Sequence, residues 1–184
     1  MVIGFDDRYA GKRVFITGNT GFKGSWLSQW LVLLGAEVYG YALEPPTNPS
    51  LFRILGLKDK IHNQIDDVLD FETLKNSIRE INPDIIFHLA AQSLVSDSYE
   101  EPLLTAQVNI LGTVNVLEAV RQLELQTAVI AVTTDKCYEN KEWLYGYRET
   151  DPMGGYDPYS ASKAAAEILI SSWRNSFFNA DRLD

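Results

Sequence analysis

Cysteine is almost absent from this chain of 184 residues: Cys137 stands alone. That excludes an internal disulfide framework and a structural zinc site built on a cysteine cluster. Positive charge is scarce as well. Lys and Arg number 16 against 25 Asp and Glu, a formal charge of −9, so the basic footprint that duplex nucleic acid or an anionic membrane requires is missing. Long apolar runs are few. Trp26 to Leu34 is broken by Ser28 and Gln29 and stops at Gly35-Ala36-Glu37, short of the ~20 residues that cross a bilayer. Met1 to Asp7 lack the basic start and apolar core of a secretory leader. Together these absences point to the cytoplasm, with no nucleic-acid and no membrane partner. No internal repeat, low-complexity segment or Gly/Ser-rich linker interrupts the chain.

What is present suits one globular domain. Hydrophobic residues make up 46% and charged residues 22%, which excludes disorder as the main state. The length is enough to bury a core unaided. Strand-type and helix-type segments alternate. Lys12 to Thr17 reads as a buried first strand, and an apolar helix runs from about Lys23 to Leu34. Glu37 to Ala42 reads as the second strand. Pro45, Pro46 and Pro49 then impose a loop before a short helix over Leu51 to Leu55. Lys60 to Ile65 is a weak third strand. Asp70 is placed to cap a helix reaching Ile81, with Leu74, Ile78 and Ile81 on one face. Asp84 to Ala90 is a fourth strand, apolar on both faces. A long helix follows over Leu103 to Leu123, then a fifth strand over Gln126 to Thr134 and a last helix over Tyr159 to Phe178. Such alternation predicts an α/β fold, a doubly wound parallel sheet covered on both faces.

Three motifs carry chemistry. Thr17-Gly18-Asn19-Thr20-Gly21-Phe22-Lys23-Gly24 sets glycines three apart between the first strand and the first helix. Glycines there let the backbone turn sharply and approach a pyrophosphate, which the helix N-terminus attracts through its free N–H groups. The nearest acid after the second strand is Glu44, and no Arg or Lys stands between Tyr39 and Pro49 to balance a 2′-phosphate; NAD is favoured over NADP. Asp66 and Asp67, after the third strand, stand within reach of an adenine edge. The second motif is Tyr159-Ser160-Ala161-Ser162-Lys163. Residues i and i+4 share a helix face, and an ammonium beside a phenol stabilises the phenolate. The third is Val132-Thr133-Thr134-Asp135-Lys136-Cys137-Tyr138, where the fifth strand ends and ligands of open α/β sheets bind. A hydroxyl, a carboxylate and an amine side by side there can do acid–base work.

With His88-Leu89-Ala90-Ala91-Gln92, Asn109 and Gly112-Thr113, these motifs resemble the extended short-chain dehydrogenase/reductase family of nucleotide-sugar enzymes, and Thr134-Asp135-Lys136 resembles its 4,6-dehydratase signature. The resemblance implies a Rossmann-type sheet, NAD as cofactor and a nucleotide sugar as substrate; the Thr-Asp-Lys form, with Pro49-Ser50-Leu51-Phe52, implies CDP-glucose. Gly18, Thr20, Gly21, Phe22, Lys23 and Gly24 would form the cofactor turn, Asp67 and Val68 the adenine contacts, and Leu89, Ala90, Ala91 and Gln92 the segment beside the nicotinamide ribose. Ser93 is a candidate substrate contact.

The resemblance also implies roles in the reaction. Tyr159, helped by Lys163, would take the 4-hydroxyl proton, Thr134 would hydrogen-bond the 4-oxygen, and Asp135 would protonate the departing 6-hydroxyl. Lys136 stands where related dehydratases carry a glutamate base, so it would serve either as the C5 base or as an enolate stabiliser. His88, Asn109 and Cys137 read as structural, with Asn109 bonding backbone. A 4-epimerase of the same family and a non-catalytic NAD-binding module are the competing readings. The family also implies a continuation: residues 1–184 would be an incomplete NAD-binding domain, truncated after the fifth strand and its following helix and lacking a C-terminal substrate domain. Its fifth strand would then be a bare edge, with weak NAD binding, poor solubility and little turnover. Longer members pair through helices matching Leu103–Leu123 and Tyr159–Phe178, as a homodimer or higher.

Overall fold

The computed structural model describes residues 5–178; the sequence readings on Met1 to Gly4 and on Asn179 to Asp184 lie outside them. Five strands, β1 (Arg13–Thr17), β2 (Glu37–Ala42), β3 (His62–Ile65), β4 (Ile85–His88) and β5 (Ala128–Ala131), form one sheet in the order β3-β2-β1-β4-β5. Every pair is parallel. The expected sheet is therefore present, with β1 at its centre and the chain reversing direction across the sheet after β3. Successive residues of β1 face opposite sides. Phe15 packs with Tyr41, Leu74, Ile78, Ile86 and Val116 on one side. Val14 and Ile16 pack with Leu31, Val38, Phe52 and Leu57 on the other. Each such side chain contributes roughly 1.5–3 kcal/mol by leaving water, which is why a strand apolar on both faces sits between two helical layers.

The helices are α1 (Phe22–Leu33), α2 (Leu51–Ile54), α3 (Phe71–Ile81), α4 (Val95–Glu100), α5 (Pro102–Ala106), α6 (Gly112–Gln122) and α7 (Pro158–Ser176). Asp70 caps α3 as its sequence position predicts, accepting from Thr73 N–H at 3.1 Å. Asn82 closes that helix in the left-handed region, φ 46°, and Pro83 prevents continuation. Asp157 caps α7, accepting from Ser160 N–H at 2.8 Å, with Pro158 in the first turn.

Three differences from the sequence reading have physical causes. First, the helix expected over Leu103–Leu123 contains a π-helical turn at Gln107–Leu111; it begins at Pro102, whose ring suits a first turn. Second, β5 covers Ala128–Ala131 rather than Gln126–Thr134, because Val132 to Tyr138 leaves the sheet to make a short 3-10 turn, Asp135–Cys137. Third, Trp26–Leu34 is not the longest apolar segment in a helix. Pro102–Gln122 spans 21 residues and contains an 18-residue stretch of mean hydropathy 1.4, long and apolar enough to cross a membrane. Here it packs against α3 and α7, and Val116, Leu117, Ala119 and Val120 are buried by that packing. Among the described residues β5 forms one edge of the sheet.

Candidate active site

In a parallel sheet all strands end on the same edge, and the motif residues follow β1, β4 and β5 there. The turn after β1 is shaped by its glycines. Gly18 has φ +75°, and a Cβ on it would lie 2.7 Å from Ala90 N; Leu89 and Ala90 thus rest against the turn. A Cβ on Gly24 would lie 2.2 Å from Gly18 O, so α1 can start this close only with glycine. Gly21, by contrast, would meet nothing nearer than 3.4 Å. It precedes α1 with no side-chain cap, leaving the first N–H groups of the helix without helical partners. Thr20 Oγ1 donates to Leu43 O at 2.8 Å and pins the loop after β2. Phe22 and Lys23 are exposed, as is Glu44.

Asn19, which the sequence reading passed over, is fully buried. Its Nδ2 donates to Asn63 Oδ1 at 2.6 Å, and its amide lies where a Cβ on Gly40 would be, 2.3 Å away. The turn is thereby tied to β2 and β3. Beyond β3, Asp67 Oδ1 accepts from Leu69 N–H at 2.9 Å, and Asp67 O accepts from the Tyr41 hydroxyl at 3.1 Å. Val68 is buried in the core against Gly112. A ligand would meet Val68 through its backbone, not its side chain.

A chain of hydrogen bonds links β1, β4 and the long helix. His88 Nδ1 is 2.7 Å from Thr17 Oγ1, which also accepts from Leu89 and Ala90 N–H. His88 Nε2 is 3.1 Å from Thr113 Oγ1, and that hydroxyl donates to Asn109 O at 2.8 Å. Asn109 sits in the π-helical turn, fully buried. Its Oδ1 accepts from Gln92 N–H at 2.9 Å, and its Nδ2 donates to Gln92 O at 3.0 Å and to Ser162 Oγ at 2.9 Å. The expectation that Asn109 bonds backbone holds, and it does more: it clamps the segment after β4 to α7. Ser162 passes the clamp on by donating to Tyr159 O at 2.7 Å. Ala91 and Gln92 are half-buried between these anchors, and Ser93 is exposed at the rim.

Tyr159 and Lys163 are both buried on α7, at 9% and 5% exposure. The Lys163 ammonium reaches Val132 O at 3.5 Å, where β5 has just ended. Burial pushes its pKa below the ordinary lysine value; Glu167 opposes that and Lys23 reinforces it. The charge of Lys23, in the glycine turn, therefore reaches Lys163 on α7. The 3-10 turn Asp135–Cys137 packs directly against α7. Thr134 Oγ1 begins that turn, accepting from Lys136 N–H at 3.3 Å and donating to Asp135 Oδ1 at 3.1 Å. Asp135 and Lys136 stay exposed. Cys137 is buried, and burial with the nearby Glu167 raises its thiol pKa. Burial works to raise the Asp157 pKa, but hydrogen bonds from Ser160, with a smaller contribution from Lys136, hold it below the ordinary carboxylate value.

The residues present fit a dinucleotide. Gly21 leaves an open cradle before an uncapped helix, and Gln92 Oε1, after β4, is a buried acceptor without a donor among the described residues. Glu167 was missed by sequence reading, although its spacing of four from Lys163 was a usable signal.

The model of the family described as GDP-mannose 4,6 dehydratase matches residues 15–179. The chain belongs to that family. A CDP-glucose 4,6-dehydratase of Salmonella typhimurium is 58% identical over 171 residues, covering 93% of this chain and 48% of the relative. The crystal structure of the Thermus thermophilus UDP-glucose 4-epimerase complex with NAD superimposes with a TM-score of 0.75 at 32% identity, over 90% of this chain and 52% of that one. A dTDP-glucose 4,6-dehydratase from Bacillus anthracis, also in complex with NAD, superimposes with a TM-score of 0.77 over 91% and 52% of the two chains; at 21% identity it shows the fold alone. The chain spans about half the length of curated relatives such as the Salmonella enzyme.

Proposed function

We propose that these residues form the NAD-binding half of a nucleotide-sugar 4,6-dehydratase, a lyase acting on CDP-glucose in the cytoplasm as a homodimer or higher oligomer. The observation that carries the reading is the packing of the Asp135–Cys137 turn, which bears the dehydratase-type acid and amine, against the helix of Tyr159 and Lys163. The identity to the Salmonella enzyme supports CDP-glucose as substrate. NAD is favoured over NADP because the segment between Tyr39 and Pro49 offers no cation.

The cofactor would be held by the backbone of Gly18 to Gly24, with Thr20, Phe22 and Lys23 around it, by the Asp67-Val68 segment, and by Leu89 to Gln92. When bound, NAD supplies a hydride acceptor for C4 of the sugar and a donor for C6. The protein does the proton chemistry. Tyr159 removes the 4-hydroxyl proton while Thr134 hydrogen-bonds the 4-oxygen, and Lys163 stabilises the phenolate. The 4-keto group acidifies the proton on C5. Asp135 protonates the departing 6-hydroxyl as that proton is lost, and Lys136 acts at C5 as base or enolate stabiliser. C6 then receives the hydride while C5 regains a proton, and the product is a 4-keto-6-deoxy nucleotide sugar, a step of deoxysugar biosynthesis. Asp135 and Lys136 argue against a 4-epimerase, which needs no acid–base pair after Thr134.

The test mixes a chain that carries these residues at the full length of its relatives with NAD and CDP-glucose. The reading expects a transient NADH signal and a 4-keto product that absorbs strongly in alkali. An epimerised sugar without that absorbance would overturn it.

A further inference from the structure

Lys163 is 5% exposed, yet its ammonium has one hydrogen-bond acceptor among the described residues, Val132 O at 3.5 Å. An ammonium carries three donors and loses its charge when buried without compensation. Burial thus works against the charge that the Tyr159–Lys163 pair needs, and a carboxylate nearby works for it. Glu167 lies one helical turn beyond Lys163 on α7, so Tyr159, Lys163 and Glu167 share a face at spacings of four. Its carboxylate Oε1 accepts from the Thr133 hydroxyl. The exit from β5 thus grips α7 at adjacent residues: Val132 takes the ammonium and Thr133 takes the carboxylate.

We propose that Glu167 is a positioning residue for the reaction: docked on Thr133, it is the counter-charge that keeps the Lys163 ammonium charged and in place beside Tyr159. The proposal rests on the dehydratase reading of Tyr159 and Lys163. The other groups facing Lys163 cannot supply that charge. Lys23, from the glycine turn, has the wrong sign. His88, from β4, is neutral, its pKa lowered by burial and by Lys163 itself. Cys137, from the 3-10 turn, faces Glu167 and is held as the thiol, first by burial and then by that carboxylate. Among the described residues α4, α5, the π-helical turn and α6 bring no charge that bears on Lys163. Burial favours the neutral amine and Glu167 opposes it, consistent with the geometry.

Charge and docking separate cleanly. Glu167→Gln keeps an acceptor for Thr133 and removes the charge; Thr133→Val keeps the charge and removes the docking bond. The readout is the titration of the Lys163 side chain by carbon-13 NMR in lysine-labelled protein, assigned by Lys163→Met. Glu167→Gln should lower the midpoint, and Thr133→Val should lower it by less. The alkaline limb of the pH profile for NADH formation from CDP-glucose should move down by the same amount. An unchanged Lys163 midpoint in Glu167→Gln, or a shift in Thr133→Val alone, would overturn the proposal. If Glu167→Gln does not fold, Glu167→Asp and Glu167→Asn give the same comparison, the midpoint falling only in the second. A shifted midpoint in a chain of the relatives' full length that forms no NADH from CDP-glucose would support the Glu167 link and overturn the dehydratase reading, so the two fail separately.

Discussion

His88 Nδ1 lies 2.7 Å from Thr17 Oγ1, and the bonds around that contact fix which proton the ring carries. Thr17 Oγ1 accepts from Leu89 and Ala90 N–H, so its own proton goes to Nδ1. On the other side Thr113 Oγ1 spends its proton on Asn109 O, so it accepts from Nε2. The ring is the neutral Nε2–H tautomer, with both nitrogens satisfied.

Protonating His88 would put a donor against a donor, and the stability of the fold should show it. Burial, and then the charge of Lys163, press its pKa from 6.5 down to about 3. The unfolded chain takes up a proton near pH 6.5 and the folded chain does not until about pH 3. The contribution of His88 is therefore complete above pH 6.5 and is lost as pH falls from about 6.5 toward 3, by up to about 1.4 kcal/mol per pH unit. Urea unfolding across this window should show that slope, and His88→Gln should flatten it while costing about 1–3 kcal/mol at neutral pH from imperfectly paired threonines. A parallel pH dependence in wild type and variant would contradict this account.

Removing the hydroxyl of Tyr159 should separate binding from chemistry. Its ring is packed into α7 and its surroundings at 9% exposure, and phenylalanine fills the same space. Tyr159→Phe should bind NAD within a few-fold of wild type by calorimetry, yet lose about 10²–10⁴ in the rate of NADH formation. Equal loss of both would point to a structural role instead.

Gly24 offers a test of the cofactor turn alone. A methyl group there meets the Gly18 carbonyl oxygen at 2.2 Å and the Asn19 Cα at 2.7 Å. Both are backbone atoms, so the turn itself must move. Gly24→Ala should cost about 1–3 kcal/mol of stability and weaken NAD binding at least tenfold. Gly11→Ala meets nothing within 4 Å but strains a backbone at φ +69°; it should lower stability by about 1 kcal/mol and leave NAD affinity unchanged, which controls for general destabilisation.

The strands and the glycine turn were legible because their signals are local. Val14 to Ile16 is apolar throughout, and after Thr17 spaced glycines follow at once. Asp70 shows its role by position, three residues before the N–H it caps. What was not legible depends on partners far away in the chain. The π-helical turn at Gln107–Leu111 holds Asn109 against Gln92, 17 residues back, and Ser162, 53 residues on; no local propensity announces it. The early end of β5 reflects the bonds Val132 and Thr133 make to α7, more than 30 residues later. Asn19 is buried because Gly40 has no side chain, a pairing that only the β1–β2 register reveals. Tertiary contacts overrode pattern in each case.

Lys136 poses the remaining chemical question, because a lysine is a base only when neutral and an enolate stabiliser only when charged. It is exposed in the 3-10 turn, with no ion pair at contact distance among the described residues, and its charge helps to lower the pKa of Asp157 at the start of α7. Lys136→Ala removes both roles: NADH should form at close to the normal rate and then persist, because water loss and hydride return at C6 stall. Lys136→Glu distinguishes the roles. A carboxylate can replace an amine base but repels an enolate, so recovery of water loss in Lys136→Glu, with washout of deuterium from C5, assigns the base. Continued stalling with C5 exchange lost as well assigns enolate stabilisation. Normal water loss in Lys136→Ala would remove Lys136 from the C5 step altogether and leave Asp135 as the acidic group of the turn to be tested next.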